Sequence, residues 1–357
     1  MVMDVGTGSG ILAAWAAQAG ARKVYAVEYT DMAKHAKRVM DANGLSDIVT
    51  VIQGAVEEVE LPAEDFPDHD PGTPLENCVD IIISEWMGYF LLRESMLDSL
   101  IRARDKFLKK GTGLMFPSHA TMYIAPVYDE EERRASSQEH NDAMGDWVEF
   151  VETTKSTYGV NMSILSDDFE REQREYYLLS SRWSELKPSA VLAEPQIVKY
   201  LDMHTCTLAE SKGIFLGDQG CEFDFDIAGP AINGSYENDG PISGLAGWFN
   251  VDFKSRTDEE GKNVAPKVDN PALLSTGPEN GYTHWGQQVF HFLSSIPLIQ
   301  GDTTRLQGTL EMSRTKENTR LYNCRICFRV SRRRSHEPKD GHVLMKGKEV
   351  EHVYQIP

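Results

Sequence analysis

The first 117 residues alternate short apolar runs with segments of helical periodicity. The strand-like runs MVMDV and KVYAVEY are each followed by a helix-like segment, ILAAWAAQAGA and TDMAKHAKRVMDANG. Alternation of strand and helix predicts a doubly wound parallel sheet. In the later segment ESMLDSLIRARDKFLKK, the apolar residues Leu97, Leu100, Ile101 and Phe107 fall on one stripe, which predicts a helix that packs on this sheet.

The pattern changes after residue 117. A strand-like run at 118–128 leads into acidic, amide-rich sequence of helical character that carries aromatic residues, from 129 to about 190. From about 193 onward, short alternating runs are separated by Gly, Asn, Asp and Pro, which predicts a β-sandwich or barrel. We therefore expect an α/β domain over 1–117 and a β domain over 118–357, interrupted by a helical insertion.

Composition narrows the class of protein. Of 357 residues, 41% are hydrophobic and 25% are charged, which is ordinary for a soluble globular chain. The sequence contains no apolar run of membrane-spanning length and does not open like a secretory signal, so no membrane partner is expected. Five scattered cysteines indicate a reducing compartment, either cytoplasmic or nuclear. The run SRRRS at 331–335 is predicted to be an exposed loop and is a weak nuclear address.

Charge and cysteine spacing exclude two further kinds of site. A net charge of −19 disfavours nucleic acid as the main partner and favours cationic partners. Cys324 and Cys327 form a CxxC pattern inside the strand-like NCRICFRV. Residues three apart in a strand face opposite sides of the sheet, and no second pair accompanies them, so no metal site is predicted.

A glycine-rich loop, DVGTGSG, lies between the first strand and the first helix. Gly6, Gly8 and Gly10 would let the backbone approach a ligand at the helix N-terminus. The spacing is GxGxG, with Ile11 where the dinucleotide motif requires glycine, and this departure disfavours NAD. Glu28 ends the next strand, where it would accept hydrogen bonds from ribose hydroxyls.

The loop is acidic and lacks lysine, which indicates the kind of nucleoside it would bind. Asp4 would repel phosphates, so a ligand with ribose and no pyrophosphate fits best, and S-adenosylmethionine is such a ligand. Glu57, after the third strand, is placed to accept the adenine amino group. Alternatively, Asp4 caps the loop backbone and the two glutamates are solvated. The combination predicts a methyltransferase.

Two glutamates bracket the apolar stretch of SEWMGYFLLRES. Glu85 follows VDIIIS, a run typical of a central parallel strand, so it lies where open α/β sheets bind ligands. Glu94 is predicted to begin the next helix, where the helix dipole alone would also favour an acid. On a single helix, nine residues at about 100° each would separate the two, so convergence needs a turn, for which Gly88 is the candidate. Paired carboxylates suit a guanidinium ion.

These stretches together carry a resemblance to a known family. SEWMGYFLLRESML resembles the double-glutamate loop of protein arginine methyltransferases, and DVGTGSGIL and VYAVEYTDMAKHA resemble the cofactor motifs of that family. YTHWGQQVF at 282–290 resembles its Thr-His-Trp loop, carried here by Thr283, His284 and Trp285. MSRTKEN and the long insertion look most similar to the plant and algal subtype numbered ten.

The resemblance implies a fold and a set of site residues. The fold is a Rossmann-like S-adenosylmethionine-dependent methyltransferase domain followed by a β-barrel domain, whose helical arm at about 129–190 grips a second subunit to form a homodimer. The implied catalytic residues are Glu85, Glu94 and His284, and the substrate-binding residues are Glu85, Glu94 and Trp285. The candidate cofactor-binding residues are Asp4, Gly6, Gly8, Glu28, Val56, Glu57, Met96 and Ser99.

The resemblance also implies an activity. Methyl groups would pass from S-adenosylmethionine to arginines of Arg/Gly-rich or histone-like proteins, giving monomethylarginine and then asymmetric dimethylarginine. Family members carry a helical segment before the first strand that closes over the cofactor, whereas this sequence opens on the strand. We therefore expect either a truncated form or an impaired enzyme. The alternatives are a dimeric scaffold without activity and a methyltransferase of another substrate class.

Overall fold

The computed structural model describes residues 1–67, 75–230, 240–256, 266–336 and 343–357. The chain begins with a parallel sheet whose strands run in the order β3-β2-β1-β4-β5. The strands are β1 (Val2–Val5), β2 (Val24–Glu28), β3 (Val49–Gln53), β4 (Ile81–Ile83) and β5 (Leu114–Phe116). The helices between them are α1 (Ile11–Gln18), α2 (Met32–Ala42) and α3 (Leu97–Phe107). The predicted doubly wound sheet is confirmed.

The strand order places a binding crevice at the carboxyl ends of β1 and β4. The chain builds β1, β2 and β3 toward one edge and then crosses to the other side of β1 for β4 and β5. Ligands of open α/β sheets bind where the order reverses in this way. Every residue of β1 and β2 is buried, as in a central strand covered on both faces. Rigid strands therefore carry the residues at this crevice.

The second half of the chain forms two antiparallel sheets, and the predicted barrel domain is confirmed. One sheet has the order β7-β13-β11-β6-β8 with β12 paired to β11; the other has the order β10-β14-β15-β16, with β17 on β15 and β9 on β14. Their strands are β6 (His119–Val127), β7 (Arg182–Ser184), β8 (Gln196–Asp202), β9 (Gly213–Ile214), β10 (Glu222–Ala228), β11 (Ile242–Phe253), β12 (Ala272–Ser275), β13 (Gln287–Ile296), β14 (Asp302–Arg314), β15 (Tyr322–Arg334), β16 (Met345–Lys346) and β17 (Val350–Ile356). One apolar core runs from the parallel sheet into the barrel, so the two halves pack directly on each other.

A helical hairpin projects from the barrel between β6 and β7. It consists of α4 (Glu130–Tyr158) and α5 (Ser166–Tyr177), and 29 residues make α4 about 44 Å long. The two helices pack through Trp147, whose ring stacks on Phe169 at 4.4 Å. Large apolar side chains remain exposed along the hairpin, namely Val148, Phe150, Tyr158, Ile164, Leu165 and Tyr176. Within the described part of the chain, no helix is both long and apolar enough to cross a bilayer.

Two local predictions differ from the structure. The helices of the insertion end at Tyr177, and residues 182–184 already pair with the barrel as β7. The prediction of an exposed loop at SRRRS is wrong, because β15 continues through Arg334. Acids of the same sheet pair with two of these arginines, since Arg333 donates to Asp226 of β10 and Arg334 donates to Asp302 of β14 at 2.9 Å. Neutralised charge and full pairing with β14 keep the run in a strand.

Candidate active site

The glycine-rich loop leaves β1 beside a buried carboxylate. Gly6, Gly8 and Gly10 have φ of +73°, +55° and +88°, a left-handed conformation that favours glycine. Asp4 is fully buried, and Thr7 donates its hydroxyl to Asp4 Oδ2 at 2.5 Å. Among the described residues, none donates to Asp4 Oδ1. Burial raises the pKa of Asp4 to about 6, the charge of Glu28 adds to the rise, and hydrogen bonds from Thr7 and Ala13 oppose it.

Glu28 is held against this loop by three donors. Its Oε2 accepts the Gly8 N–H at 2.9 Å, and its Oε1 accepts the N–H and the hydroxyl of Thr30 at 2.8 and 2.7 Å. Burial by itself would raise the pKa of Glu28, but the hydrogen bonds from Thr30, Gly8 and Tyr29 outweigh it and lower the pKa. Glu28 is therefore an ionised acceptor at a fixed position, with lone pairs left for a ligand hydroxyl.

Of the remaining predicted cofactor residues, Met96 packs on this loop, and Ser99 and Glu57 are hydrogen-bonded to each other. A Cβ on Gly6 would come 2.1 Å from Met96 Cε, so Met96 covers the loop closely, whereas a Cβ on Gly8 would meet no described atom within 4 Å. Ser99 donates its hydroxyl to Glu57 Oε1 at 2.8 Å, and Val56 beside it is buried.

The chemistry of this donor set fits a nucleoside cation. It offers carboxylates, a thioether and glycine backbone, and none of the predicted residues is basic. The unpartnered, buried oxygen of Asp4 adds negative potential near the loop. The residues present therefore suit S-adenosylmethionine, which carries ribose hydroxyls and a positive sulfonium, better than a dinucleotide.

The stretch between the two glutamates is a tight turn. Gly88 donates its N–H to Leu91 O at 2.9 Å, and a Cβ on Gly88 would lie 1.8 Å from Arg93 O. Phe90, Leu91, Glu94 and Ser95 have φ of +46°, +65°, +87° and +60°. Left-handed backbone at non-glycine residues is strained and persists only where the surroundings impose it. Glycine at position 88 thus allows the close approach that the predicted turn requires.

The prediction that Glu94 begins a helix is wrong. Helix α3 starts at Leu97, and Glu94 donates its backbone N–H to Arg320 O at 2.8 Å, outside any helix. The left-handed φ of Glu94 and Ser95 is incompatible with a helical turn. The barrel thus fixes this segment.

Glu85 lies within electrostatic reach of both Glu94 and His284. Burial raises the pKa of Glu85, and the negative charge of Glu94 adds to the rise. The charge of His284 and a hydrogen bond from the Met87 N–H act in the opposite direction. The charges of Glu94 and His284 therefore both act on Glu85, although the three residues span 199 positions of the chain (284 − 85).

The Thr-His-Trp loop is fastened to the double-glutamate loop by Trp285. Its indole is buried and donates Nε1–H to Met87 O at 2.8 Å. The ring of His284 lies 3.8 Å from the ring of Trp285, centre to centre. On the outer side, Trp183 donates Nε1–H to His284 O at 3.1 Å. Trp285 thus positions the loop that carries Glu85, and β7 positions His284.

An apolar cavity of about 800 Å³ begins at this cluster. Glu85, Met87 and Trp285 are among the residues that line it, together with Trp15 of α1. A carboxylate in the wall of an apolar cavity can bind a planar cation.

Several residues at the site were not predicted from the sequence. Arg93 Nη1 lies 3.3 Å from Glu94 Oε1, and Arg320 Nη2 lies 3.2 Å from Glu94 Oε2. Thr30, which holds Glu28, follows it closely in sequence and could have been found as a local side-chain turn. Arg320 is 226 positions from Glu94, and no local pattern connects them.

Two family profiles match the chain. Residues 118–333 match the family described as the arginine methyltransferase oligomerization subdomain. Residues 1–90 match the description ribosomal protein L11 methyltransferase (PrmA).

Known proteins similar to this chain carry one family name. Protein arginine N-methyltransferase PRMT10 of Arabidopsis thaliana is 43% identical over 332 residues, which cover 91% of this chain and 76% of the relative. The crystal structure of Arabidopsis thaliana protein arginine methyltransferase 10, in an open conformation, superposes with a TM-score of 0.80 at 40% identity, covering 100% of this chain and 89% of that one. A Trypanosoma brucei PRMT1 enzyme–prozyme heterotetrameric complex with AdoHcy matches with a TM-score of 0.65 at 25% identity, covering 100% of this chain and 88% of that one.

Proposed function

This chain belongs to the protein arginine N-methyltransferase family and is an S-adenosylmethionine-dependent enzyme, and we propose that Glu85 and Glu94 hold the substrate guanidinium. The observation that carries the proposal is that Glu85 lines an apolar cavity and lies within electrostatic reach of Glu94. A guanidinium ion takes paired carboxylates through a planar fork of N–H donors.

We assign the glycine-rich loop and its neighbours to the cofactor. In this assignment the ionised Glu28 accepts ribose hydroxyls, Glu57 accepts the adenine amino group, and the buried Asp4 supplies negative potential near the loop. The full set that we assign to S-adenosylmethionine is Asp4, Gly6, Gly8, Glu28, Val56, Glu57, Met96 and Ser99. When bound, this cofactor supplies a methyl group on a positively charged sulfonium.

The protein's own residues then act mainly by positioning and charge. Glu85 and Glu94 fix the plane of the guanidinium and draw positive charge toward the nitrogens they bind, which leaves electron density on the remaining nitrogen. Their negative charges also offset the repulsion between the two cations that must approach. Burial raises the pKa of Glu85, so the positive charge of the guanidinium that it binds helps to keep this carboxylate ionised. His284, on the adjoining loop, moderates that pKa through its charge.

The protein substrates that we propose are Arg/Gly-rich or histone-like. A net charge of −19 attracts such basic chains over long range. We propose monomethylarginine and then asymmetric dimethylarginine as products, in keeping with the similarity to the plant subtype numbered ten. The described cysteines are unpaired, which supports a cytoplasmic or nuclear location.

The helical hairpin is our candidate for a dimer contact. The matching profile is that of an oligomerization subdomain, and the exposed aromatic and aliphatic side chains of α4 and α5 have the composition of an interface. We propose a homodimer in which each hairpin binds the cofactor domain of its partner. We also propose that the boundary between the two domains of the chain lies near residue 117.

The test is methyl transfer by the purified chain and by its Glu85→Gln variant. Each protein is incubated with methyl-labelled S-adenosylmethionine and an Arg/Gly-rich peptide, and methylarginines are identified by mass spectrometry. Glu85→Gln is expected to lower kcat by about 10²-fold or more, the range found when one group that stabilises charge is removed. Cofactor affinity, measured by calorimetry, should change by less than about twofold, since Glu85 is not assigned to the cofactor.

The matched control is Glu222→Gln, an exposed acid on β10 that lies outside the assigned site. It should retain the activity of the unsubstituted protein. Equal losses of turnover and of cofactor affinity in Glu85→Gln would contradict its assignment to the substrate. Absence of any methylarginine from the unsubstituted chain would contradict the proposed reaction.

A further inference from the structure

The carboxylate of Glu94 is paired with two guanidinium groups of the protein itself. Arg93 Nη1 lies 3.3 Å from Oε1, and Arg320 Nη2 lies 3.2 Å from Oε2. We propose that Arg320 is a resident competitor for the substrate arginine: it occupies Glu94 in the substrate-free protein and weakens the binding of the incoming guanidinium. The inference rests on the proposed function, because it takes Glu94 as a substrate carboxylate.

Arg320 belongs to the turn between β14 and β15, which clasps the double-glutamate loop. Glu94 N–H donates to Arg320 O, and the hydroxyl of Ser95 donates to Thr319 O. Below this contact, Arg314 makes a bidentate ion pair with Asp98 of α3, at 2.6 and 2.8 Å. These contacts hold the left-handed backbone of residues 94 and 95 in place.

The clasp and the ion pair of Arg320 can be separated by mutation. The clasp uses the backbone carbonyl of residue 320, which any side chain leaves in place, and the Arg314–Asp98 pair supports it independently. The Arg320 side chain is 67% exposed and touches Glu94 through one nitrogen. Its removal should therefore leave Glu94 in position and free one carboxylate oxygen.

Charge determines the direction of the effect. With Arg93 and Arg320 at its two oxygens, Glu94 meets an incoming guanidinium with its charge largely compensated. Removing the cation at 320 restores attraction for a substrate that carries the same kind of group. An exposed ion pair of this kind corresponds to a factor of about two to five in affinity.

The experiment measures peptide binding separately from turnover. Fluorescence anisotropy of a labelled Arg/Gly-rich peptide is recorded on protein saturated with S-adenosylhomocysteine, for the unsubstituted chain and for Arg320→Gln. We expect the dissociation constant to fall about two- to fivefold, with a parallel fall in KM and no change in kcat. Arg320→Lys keeps the charge and should return both values toward those of the unsubstituted protein.

Two further variants complete the comparison. Arg329→Gln removes a similar exposed arginine on β15, paired with Glu349 at 3.0 Å, and should change nothing. In a Glu94→Gln background, the gain from Arg320→Gln should disappear, because the competitor then has no carboxylate to occupy.

Each outcome has a distinct meaning. Unchanged or weaker peptide binding by Arg320→Gln, with binding reduced by Glu94→Gln, overturns the competition and leaves the proposed function standing. Peptide binding that Glu94→Gln does not alter overturns the assignment of Glu94, and the role of Arg320 falls with it. A fall in kcat without a change in binding would make Arg320 a residue that positions Glu94.

Discussion

Among single residues, Asp4 shows how one buried carboxylate makes stability depend on pH. Its pKa is raised from 3.8 to about 6 by burial. Between these values the unfolded chain has lost the proton and the folded chain keeps it, so the free energy of unfolding falls as pH rises. Because the pKa of Asp4 is shifted by roughly two units, the free energy of unfolding is lower by about 3 kcal/mol once the pH exceeds 6.

Asp4→Asn should abolish this dependence, because asparagine is close to aspartate in size and carries no charge. We expect urea titrations of the cofactor-free proteins to give free energies of unfolding whose difference, variant minus unsubstituted chain, rises by about 3 kcal/mol from pH 4 to pH 7. The other carboxyls titrate alike in both proteins, so the difference isolates Asp4. If the free energies of unfolding of the two proteins changed in parallel with pH over that range, Asp4 would ionise normally in the folded chain.

The residues that the sequence predicted well are those whose position follows from a strand end. Asp4 lies in β1, Glu28 ends β2 and Glu85 follows β4, so an apolar run in the sequence was enough to locate each of them. Arg320 could not be placed, since its contact with Glu94 depends on how the barrel packs on the cofactor domain.

Among the structural elements, the loop between β4 and α3 differs most from its prediction. Alternating apolar runs predicted the strands and helices around it, whereas Phe90, Leu91, Glu94 and Ser95 hold φ values that propensity does not favour. The turn between β14 and β15 holds residues 94 and 95 through the bonds to Arg320 O and Thr319 O. A local pattern could not reveal a conformation that a distant element imposes.

Gly88→Ala tests whether this loop needs its close contact. The added Cβ would lie 1.8 Å from Arg93 O, so the loop must open and displace Glu94 relative to Glu85. Because misplacement by about 1 Å can cost about 10²-fold in rate, kcat should fall by one to two orders of magnitude. Cofactor affinity by calorimetry should change far less.

Gly301→Ala serves as the control for backbone strain alone. Gly301 has φ of +77° and no described atom within 4 Å of an added Cβ. It should lower the free energy of unfolding by about 1 kcal/mol and keep kcat. Full activity in Gly88→Ala would show that the two glutamates do not depend on the turn.

At the scale of the whole molecule, the exposed hairpin predicts the assembly state. The fold class followed from the alternation of elements and from the family motifs, and the aromatic residues of 129–190 correctly marked an unusual insertion. The projection of α4 and α5 away from the barrel was not evident, because helical periodicity does not tell which neighbour covers a face.

Phe150→Glu should weaken dimerisation. Loss of one well-packed aromatic contact costs about 2 kcal/mol or more, so the dimer dissociation constant should rise at least about 30-fold. Sedimentation velocity over a range of concentrations measures it. Leu216→Glu, at another exposed apolar position outside the hairpin, should sediment like the unsubstituted chain. Unchanged sedimentation of Phe150→Glu would place the contact elsewhere.

The left-handed backbone at Glu94 also has a consequence for efforts to make this enzyme heat-resistant. Glycine or asparagine would suit a φ of +87° better, by about 1 kcal/mol. A library selected only for survival at high temperature would therefore enrich substitutions at position 94 and discard the carboxylate. Thermal stability favours glycine or asparagine at position 94, whereas methyl transfer requires glutamate. Each round of such a selection therefore needs an activity screen as well.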